Sequence, residues 1–292
     1  MIIRRLDNRD VSETKLFLDC HIETSMFLRS NIEKAGLEFH GEPYQGDYFG
    51  AFIDSKLMGV IAHYWNGTML MQSPNLDVLS QLYNKIVSNM TRSVKAVVGD
   101  ANQGGYILNR LAISENKFAL NAIDNLMSLE LSQLHIPHAN NTSLTMVEIT
   151  ERHFDILKEW TRGYEIEALG TTDDDKLTAK SIQIAHDRIK DSNCWILEAD
   201  GMPVTLSGFN AQLPEIVQIG PVWTPPEHRN NGYARHLVAR TLERARTLSV
   251  QKSILFTDAP AAQKAYEAIG FKEIGKFQLA LLKKPISDLS HQ

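Results

Sequence analysis

Short apolar runs bounded by turn residues alternate along the chain with stretches in which apolar positions recur every three or four residues, the pattern of a layered fold of strands and helices. Residues 1–3 read as a strand; Asn8 or Asp10 then caps a segment in which Val11, Leu16, Phe17, Met26, Phe27 and Leu28 keep helical rhythm over two helices. Residues 48–53 and 57–64 are β-rich, and Asp54-Ser55-Lys56 between them reads as a hairpin turn. A third strand at 67–71, a helix at 76–90, a buried run at 94–98 and helices at 104–111 and 120–134 complete the first half.

The stretch HIPHANNTS, residues 135–143, has the composition of a linker, and places domains at 1–138 and 143–292. After it the order recurs. A strand at 144–149, a helix capped by Thr150 and running to Glu167, a helix at 176–190 and strands at 194–199 and 203–209 around Asp200-Gly201 lead to a strand at 216–223. A helix at 231–248, a strand at 253–256, a helix at 261–269 and a strand at 275–282 follow. Two halves with one element order imply an old duplication.

Composition narrows the possibilities. With 43% hydrophobic and 22% charged residues the chain is globular, and its 292 residues suit two domains. The net charge of -5 is evenly spread, 12 minus 15 up to residue 140 and 18 minus 20 after it, so nucleic acid is not an expected partner. Cys20 and Cys194 form no CxxC, and His135-Ile136-Pro137-His138 lacks an acidic third ligand, so neither a disulfide framework nor a metal site is expected. No apolar run reaches membrane-spanning length and the N-terminus is charged, which predicts a soluble cytoplasmic protein, monomer or homodimer, with no membrane partner.

The most informative text is IVQIGPVWTPPEHRNNGYARHLVARTLERA. A strand ends at Pro225-Pro226, and a polar loop opens a helix whose apolar face carries Leu237, Val238, Leu242 and Ala245. Unpaired N–H groups and the positive end of the dipole face outward at such a helix start, and Gly232 lets an anion approach the main chain. Asn230, Asn231 and Gly232 tolerate the left-handed angles that a phosphate-wrapping turn requires. The residues describe a pyrophosphate cradle. The rival glycine cluster at 99–105 lacks GxGxxG spacing and reads as a turn, and no Walker-type loop occurs.

Arg229-Asn230-Asn231-Gly232-Tyr233-Ala234 resembles the Arg/Gln-x-x-Gly-x-Gly/Ala acetyl-coenzyme A motif of the GCN5-related N-acetyltransferase (GNAT) superfamily. That family's second signature, a Tyr ahead of a Gly-Phe pair, resembles Tyr266 followed by Gly270-Phe271, with Ala259 where many relatives carry Asn and Asp258 beside it. The resemblance covers about residues 144–283. It implies an α/β fold of layered α+β type: two GNAT-like domains, each a mixed, mostly antiparallel central sheet flanked by helices.

The resemblance further implies acetyl transfer from acetyl-CoA to a primary amine of a small molecule or peptide, by direct transfer in a ternary complex. Val222, Trp223, Thr224, residues 229–234 and Asp258 would hold the cofactor, with a main-chain N–H near Val222 on the thioester oxygen. Pro221 supplies no N–H and favours a break in the ladder there. Tyr266 would protonate the leaving thiolate, and Glu215, Glu165 or Glu167 would take the amine proton. Trp160 and Tyr164, four apart on one helix face, favour core packing over an acceptor pocket. The missing Asn at 259 keeps a non-catalytic acyl-CoA-binding or sensing module as the alternative. In the first half the corresponding text is Gln72-Ser73-Pro74-Asn75-Leu76-Asp77, without glycine, which reads as a degenerate copy unable to hold pyrophosphate.

Overall fold

The computed structural model describes residues 1–138 and 143–287. The first half of the chain runs β1 (Ile2–Arg5), α1 (Val11–Asp19), α2 (Met26–Ala35), β2 (Gly46–Ile53), β3 (Lys56–Tyr64), β4 (Thr68–Gln72), α3 (Leu76–Val87), β5 (Val94–Asp100), α4 (Ala101–Leu111) and β6 (Phe118–Glu130). The second half runs β7 (Leu144–Glu148), α5 (Phe154–Leu169), α6 (Asp175–Asp191), β8 (Cys194–Ala199), β9 (Met202–Gln212), β10 (Ile216–Trp223), α7 (Tyr233–Thr247), β11 (Lys252–Thr257), α8 (Pro260–Glu267) and β12 (Lys272–Ile286). Both halves follow the same order of strands and helices, which the hydrophobic pattern predicts for every element except β6. The class is mixed α/β, with mostly antiparallel pairing and flanking helices.

The compact units do not follow the halves. One comprises Met1–Asn125 with the segment from Gly275 onward, the other Leu126–Ile274. The expected division at 138 and 143 is displaced because the unit boundaries fall within the two last strands: β6 from Leu126 lies in the second unit, and β12 from Gly275 in the first. In the first unit β12 pairs antiparallel with β5, Leu279 opposite Val98, and buries Ala280 and Leu282 in a core with Val97, Ile107 and Leu111. In the second, Met127 and Leu129 of β6 enter the core formed by Leu237, Leu242, Leu255 and Phe271.

β6 itself departs from expectation. The apolar residues of 120–134 recur at helical spacing, yet the backbone is extended through Glu130. Neighbours decide the conformation: Gln278 Nε2 donates to Asn121 Oδ1 (2.9 Å) and to the Ala122 carbonyl (3.0 Å), and Leu131 N–H to the Gln251 carbonyl (2.8 Å). The glycine cluster at 99–105 is a strand-to-helix junction rather than a turn, because Asp100 caps α4 through the Asn102 and Gln103 N–H groups. Residues 139–142 of the expected linker lie outside the described residues.

In the second unit β7, β8, β9 and β10 are successive antiparallel neighbours and β11 joins β10 in parallel. Strand alternation separates two faces. Trp195, Leu197, Val217 and Ile219 pack with α7 and α8 residues such as Leu237 and Tyr266. Cys194, Ile196, Leu206 and Trp223 pack with Leu157 and Trp160 of α5 and Ala185 of α6. Among the described residues no helix is long and apolar enough to cross a membrane.

Candidate active site

The parallel pairing of β10 with β11 covers only Ile216, Val217 and Gln218 opposite Lys252, Ser253 and Ile254, although both strands continue. The far end of β10 therefore leaves β11. On its other edge the register with β9 slips between Gln218 and Ile219 and again between Ile219 and Val222, a bulged stretch containing Gly220-Pro221. Val222 re-pairs with Ser207 and Trp223 with Leu206. Thr205 then fixes the strand end: its hydroxyl donates to the Trp223 carbonyl (2.8 Å) and lies 2.7 Å from Thr224 Oγ1.

From here the chain turns through Pro225 and a short 3-10 turn, Pro226–His228, into α7. Asn230 and Gly232 adopt left-handed φ of 65° and 76°. Asn231 Nδ2 folds the loop by donating to the His228 and Arg229 carbonyls, each at 3.1 Å. Gly232 is the N-cap of α7 and has no side chain to satisfy the first N–H groups, and the first turn holds no acidic residue. A Cβ at Gly232 would meet only Arg235 Nη2, at 3.5 Å. Arg235 Nε is buried with no hydrogen-bond partner. An uncapped helix start beside a guanidinium whose Nε lacks a partner is a set of donors matched to a phosphate-rich ligand. His236 is buried in the following turn, and burial, then Arg240 and Arg235, lower its pKa, so it stays neutral.

Thr257 ends β11, and its hydroxyl accepts the Ala259 N–H (3.2 Å); exposed Asp258 lies between them and Pro260 opens α8. Tyr266, on α8, is 7% exposed and meets Phe271 edge-on at 6.0 Å. Burial first, and the nearby Tyr164 phenol second, push its pKa well above the usual value. The two tyrosines belong to helices packed on opposite faces of the sheet, α5 and α8.

The end of α5 packs on this strand. Gly163 lies so close to Trp223 that a Cβ would stand 2.7 Å from ring atom Cζ2, and Tyr164 meets the same ring edge-on at 6.5 Å. Trp160 is a core residue. The three expected proton acceptors are not brought together. Glu165 is buried and accepts from Lys180 Nζ (2.6 Å) and Thr171 Oγ1 (2.9 Å). Glu167 accepts from Arg229 Nη2 at 2.8 Å. Glu215 precedes β10 at its opposite end, where its carbonyl takes the Gln251 and Lys252 N–H groups. About 23 Å of strand separates it from Val222, seven residues at roughly 3.3 Å each.

Arg235, Gly163 and Lys180 were not among the residues expected from sequence. A signal existed for two of them. Arg235 puts a cation in a helix first turn, where acids are favoured, and Gly163 interrupts an otherwise helical stretch, where glycine costs about 1 kcal/mol unless something approaches closely.

Residues 154–271 match the acetyltransferase (GNAT) family model. The second unit carries a GNAT acetyltransferase domain. Both motifs, the 229–234 loop and the Tyr266-to-Phe271 segment, fall within the matched GNAT span. A UPF0039 protein of Schizosaccharomyces pombe is 29% identical over 86 residues, 29% of this chain and 57% of the relative, so the match spans little more than half of that protein. A tandem GNAT protein from the clavulanic acid biosynthesis pathway aligns over 98% of this chain and 99% of its own at 12% identity, TM-score 0.53. A GCN5-related N-acetyltransferase from Sphaerobacter thermophilus aligns over 98% and 96% at 12% identity, TM-score 0.57. At these identities the likeness is one of fold, and the fold is that of a tandem GNAT protein.

Proposed function

We propose that this protein transfers an acetyl group from acetyl-CoA to a primary amine, and that the GNAT domain of the second unit does so alone. The observation that carries the reading is the uncapped α7 N-terminus at Gly232, with Arg235 unsatisfied beside it, adjoining the point where β10 leaves its neighbours. The main chain of residues 229–234 with Arg235 would hold the pyrophosphate, and Val222, Trp223, Thr224 and Asp258 would lie along the rest of the cofactor. Acetyl-CoA supplies the acetyl group as an activated thioester. Main-chain groups freed by the slipped ladder between Ile219 and Val222 are suited to a developing oxyanion. Tyr266 would be the proton donor to the leaving thiolate; burial keeps the phenol protonated at neutral pH, while the raised pKa makes it a weaker acid than a free phenol.

The first unit supports a single site per chain by contrast. Its corresponding helix, α3, is capped by Asn75, whose Oδ1 accepts the Asp77 and Val78 N–H groups at 2.8 and 3.2 Å, and Asp77 stands in the first turn. The N–H groups that would greet a phosphate are satisfied, and an acid repels it. The gap between β4 and β5 is filled as well, since Met71 Sδ lies 2.8 Å from where a Gly99 Cβ would be.

Calorimetric titration of the intact chain with coenzyme A tests this: one equivalent is expected, and Gly232→Asp should abolish binding in a folded protein. A stoichiometry of two, or unchanged affinity in the variant, overturns the assignment. Acetyl-CoA with a panel of primary amines should then release free coenzyme A faster than acetyl-CoA alone. Tight binding with no release on any amine would favour the non-catalytic binding module.

A further inference from the structure

Arg229 stands first in the cofactor motif, yet its guanidinium is already engaged on three sides. Nε donates to the Thr224 carbonyl at 3.0 Å, the plane lies over the Trp223 ring at 5.1 Å, and Nη2 donates to Glu167 Oε2 at 2.8 Å. None of these partners is a vacant acceptor waiting for a ligand. The first two fold the loop onto the end of β10; the third leaves the loop and reaches α5.

The contacts continue in both directions. Toward the cofactor side, Asn231 Nδ2 holds the Arg229 carbonyl at 3.1 Å, and Gly232 with the α7 N-terminus follows at once. Toward α5, the Trp223 ring beneath Arg229 is pressed against Gly163 and Tyr164, one turn before Glu167. An unbroken series of packed and hydrogen-bonded groups thus links the uncapped helix start to the C-terminal turns of α5.

We infer that Arg229 and Glu167 are a positioning pair that ties the cofactor loop to α5, so that seating coenzyme A orders the end of that helix. The inference rests on the proposed coenzyme A site. It reassigns both residues: Arg229 is a strut and not a phosphate ligand, a task left to the α7 N–H groups and Arg235, and Glu167 holds the helix that carries Tyr164 and is not itself a proton acceptor. The ion pair is partly exposed, with side chains 36% and 54% accessible, so its share of coenzyme A affinity is small. By reciprocity, whatever orders the end of α5 tightens coenzyme A to the same degree.

Hydrogen exchange with and without free coenzyme A separates the possibilities, using wild type, Glu167→Gln and the conservative Glu167→Asp. In wild type, coenzyme A should slow exchange both at 229–236 and in the last turns of α5. In Glu167→Gln the loop should still be protected while α5 loses its response, with affinity falling no more than about fivefold, the range of an exposed ion pair. Glu167→Asp keeps the carboxylate on α5 and touches no loop contact, so it should retain part of the α5 response that Glu167→Gln loses, which a merely structural glutamate would not do. Protection of the loop without α5 in wild type, persistence of the α5 response in Glu167→Gln, or an α5 response in Glu167→Asp no greater than in Glu167→Gln overturns the inference and leaves the coenzyme A site intact. No protection at 229–236 in wild type overturns the site and the inference together.

Discussion

Three helical glycines offer a measurement in which one large term cancels. Gly105 of α4 faces open space, with nothing within 4 Å of an added Cβ, whereas at Gly163 of α5 a Cβ would stand 2.7, 3.3 and 3.4 Å from three atoms of the Trp223 indole. Replacing a helix-interior glycine by alanine stabilises by about 1 kcal/mol through backbone entropy alone. Gly105→Ala should show that gain undiminished. At Gly163 the same gain is opposed by overpacking, which costs about 1–3 kcal/mol when the neighbour cannot yield. Trp223 is such a neighbour: it is 8% exposed, rigid, stacked under Arg229 and flanked by Tyr164. Gly163→Ala should therefore range from neutral to about 2 kcal/mol destabilised. The difference between the two variants, about 1–3 kcal/mol, isolates the packing cost because the entropy term is common. Gly104→Ala, whose Cβ would meet Gln278 Cβ at 2.7 Å, should behave like Gly163→Ala. Urea unfolding at fixed pH gives the stabilities, and calorimetry gives coenzyme A affinity, which only Gly163→Ala should weaken, since a displaced Trp223 shifts Arg229 and the loop. Equal stabilisation by Gly105→Ala and Gly163→Ala would refute the close approach of α5 to β10.

Other consequences are as direct. Tyr266→Phe should lower turnover about 10²-fold or more with coenzyme A affinity nearly unchanged; parallel losses of rate and affinity would mark Tyr266 as a packing residue. Arg235→Gln should weaken coenzyme A by about tenfold, the scale of a lost charge-assisted hydrogen bond, while Arg229→Gln costs less; equal effects would count against the division of roles between them. His63, buried in the first unit, has its pKa lowered to about 4 from 6.5 by burial and then by Arg92. The unfolded chain then binds the proton first, so stability is intact above pH 6.5 and is lost as pH falls toward 4. The window is worth about 3 kcal/mol in full and about 2 kcal/mol between pH 7 and pH 5. Urea midpoints across that range should converge for wild type and His63→Gln; parallel curves would refute the burial argument.

Much of this was legible in the sequence because it is written locally. The recurring element order follows from apolar spacing and turn residues, and the 229–234 loop from a glycine and two asparagines ahead of an amphipathic helix. What was not legible depends on partners distant in sequence. The residues of β6 carry helical spacing and become a strand between β12 and β11, both far along the chain. The units' true boundaries follow from that pairing and from β12 on β5. At the site, nothing in the text of α5 tells that Glu167 meets Arg229, and the role of Gly163 is visible only when Trp223 is seen against it.

The exchange of last strands bears on how the chain is made. A ribosome delivers β1 through β5 early, and in a simple two-domain protein that portion would fold while the remainder is still being synthesised. Here the edge of β5 that β12 covers stays open until the whole second half has emerged, and Val97, Ile107 and Leu111 wait for Ala280 and Leu282. During that interval a nascent first half presents an unpaired strand edge beside an incomplete apolar core, the combination that recruits foreign strands and holding chaperones. The second unit has no such delay, since β6 is already present when β11 is made. The downstream half therefore closes first, and the first-made half is the last to mature.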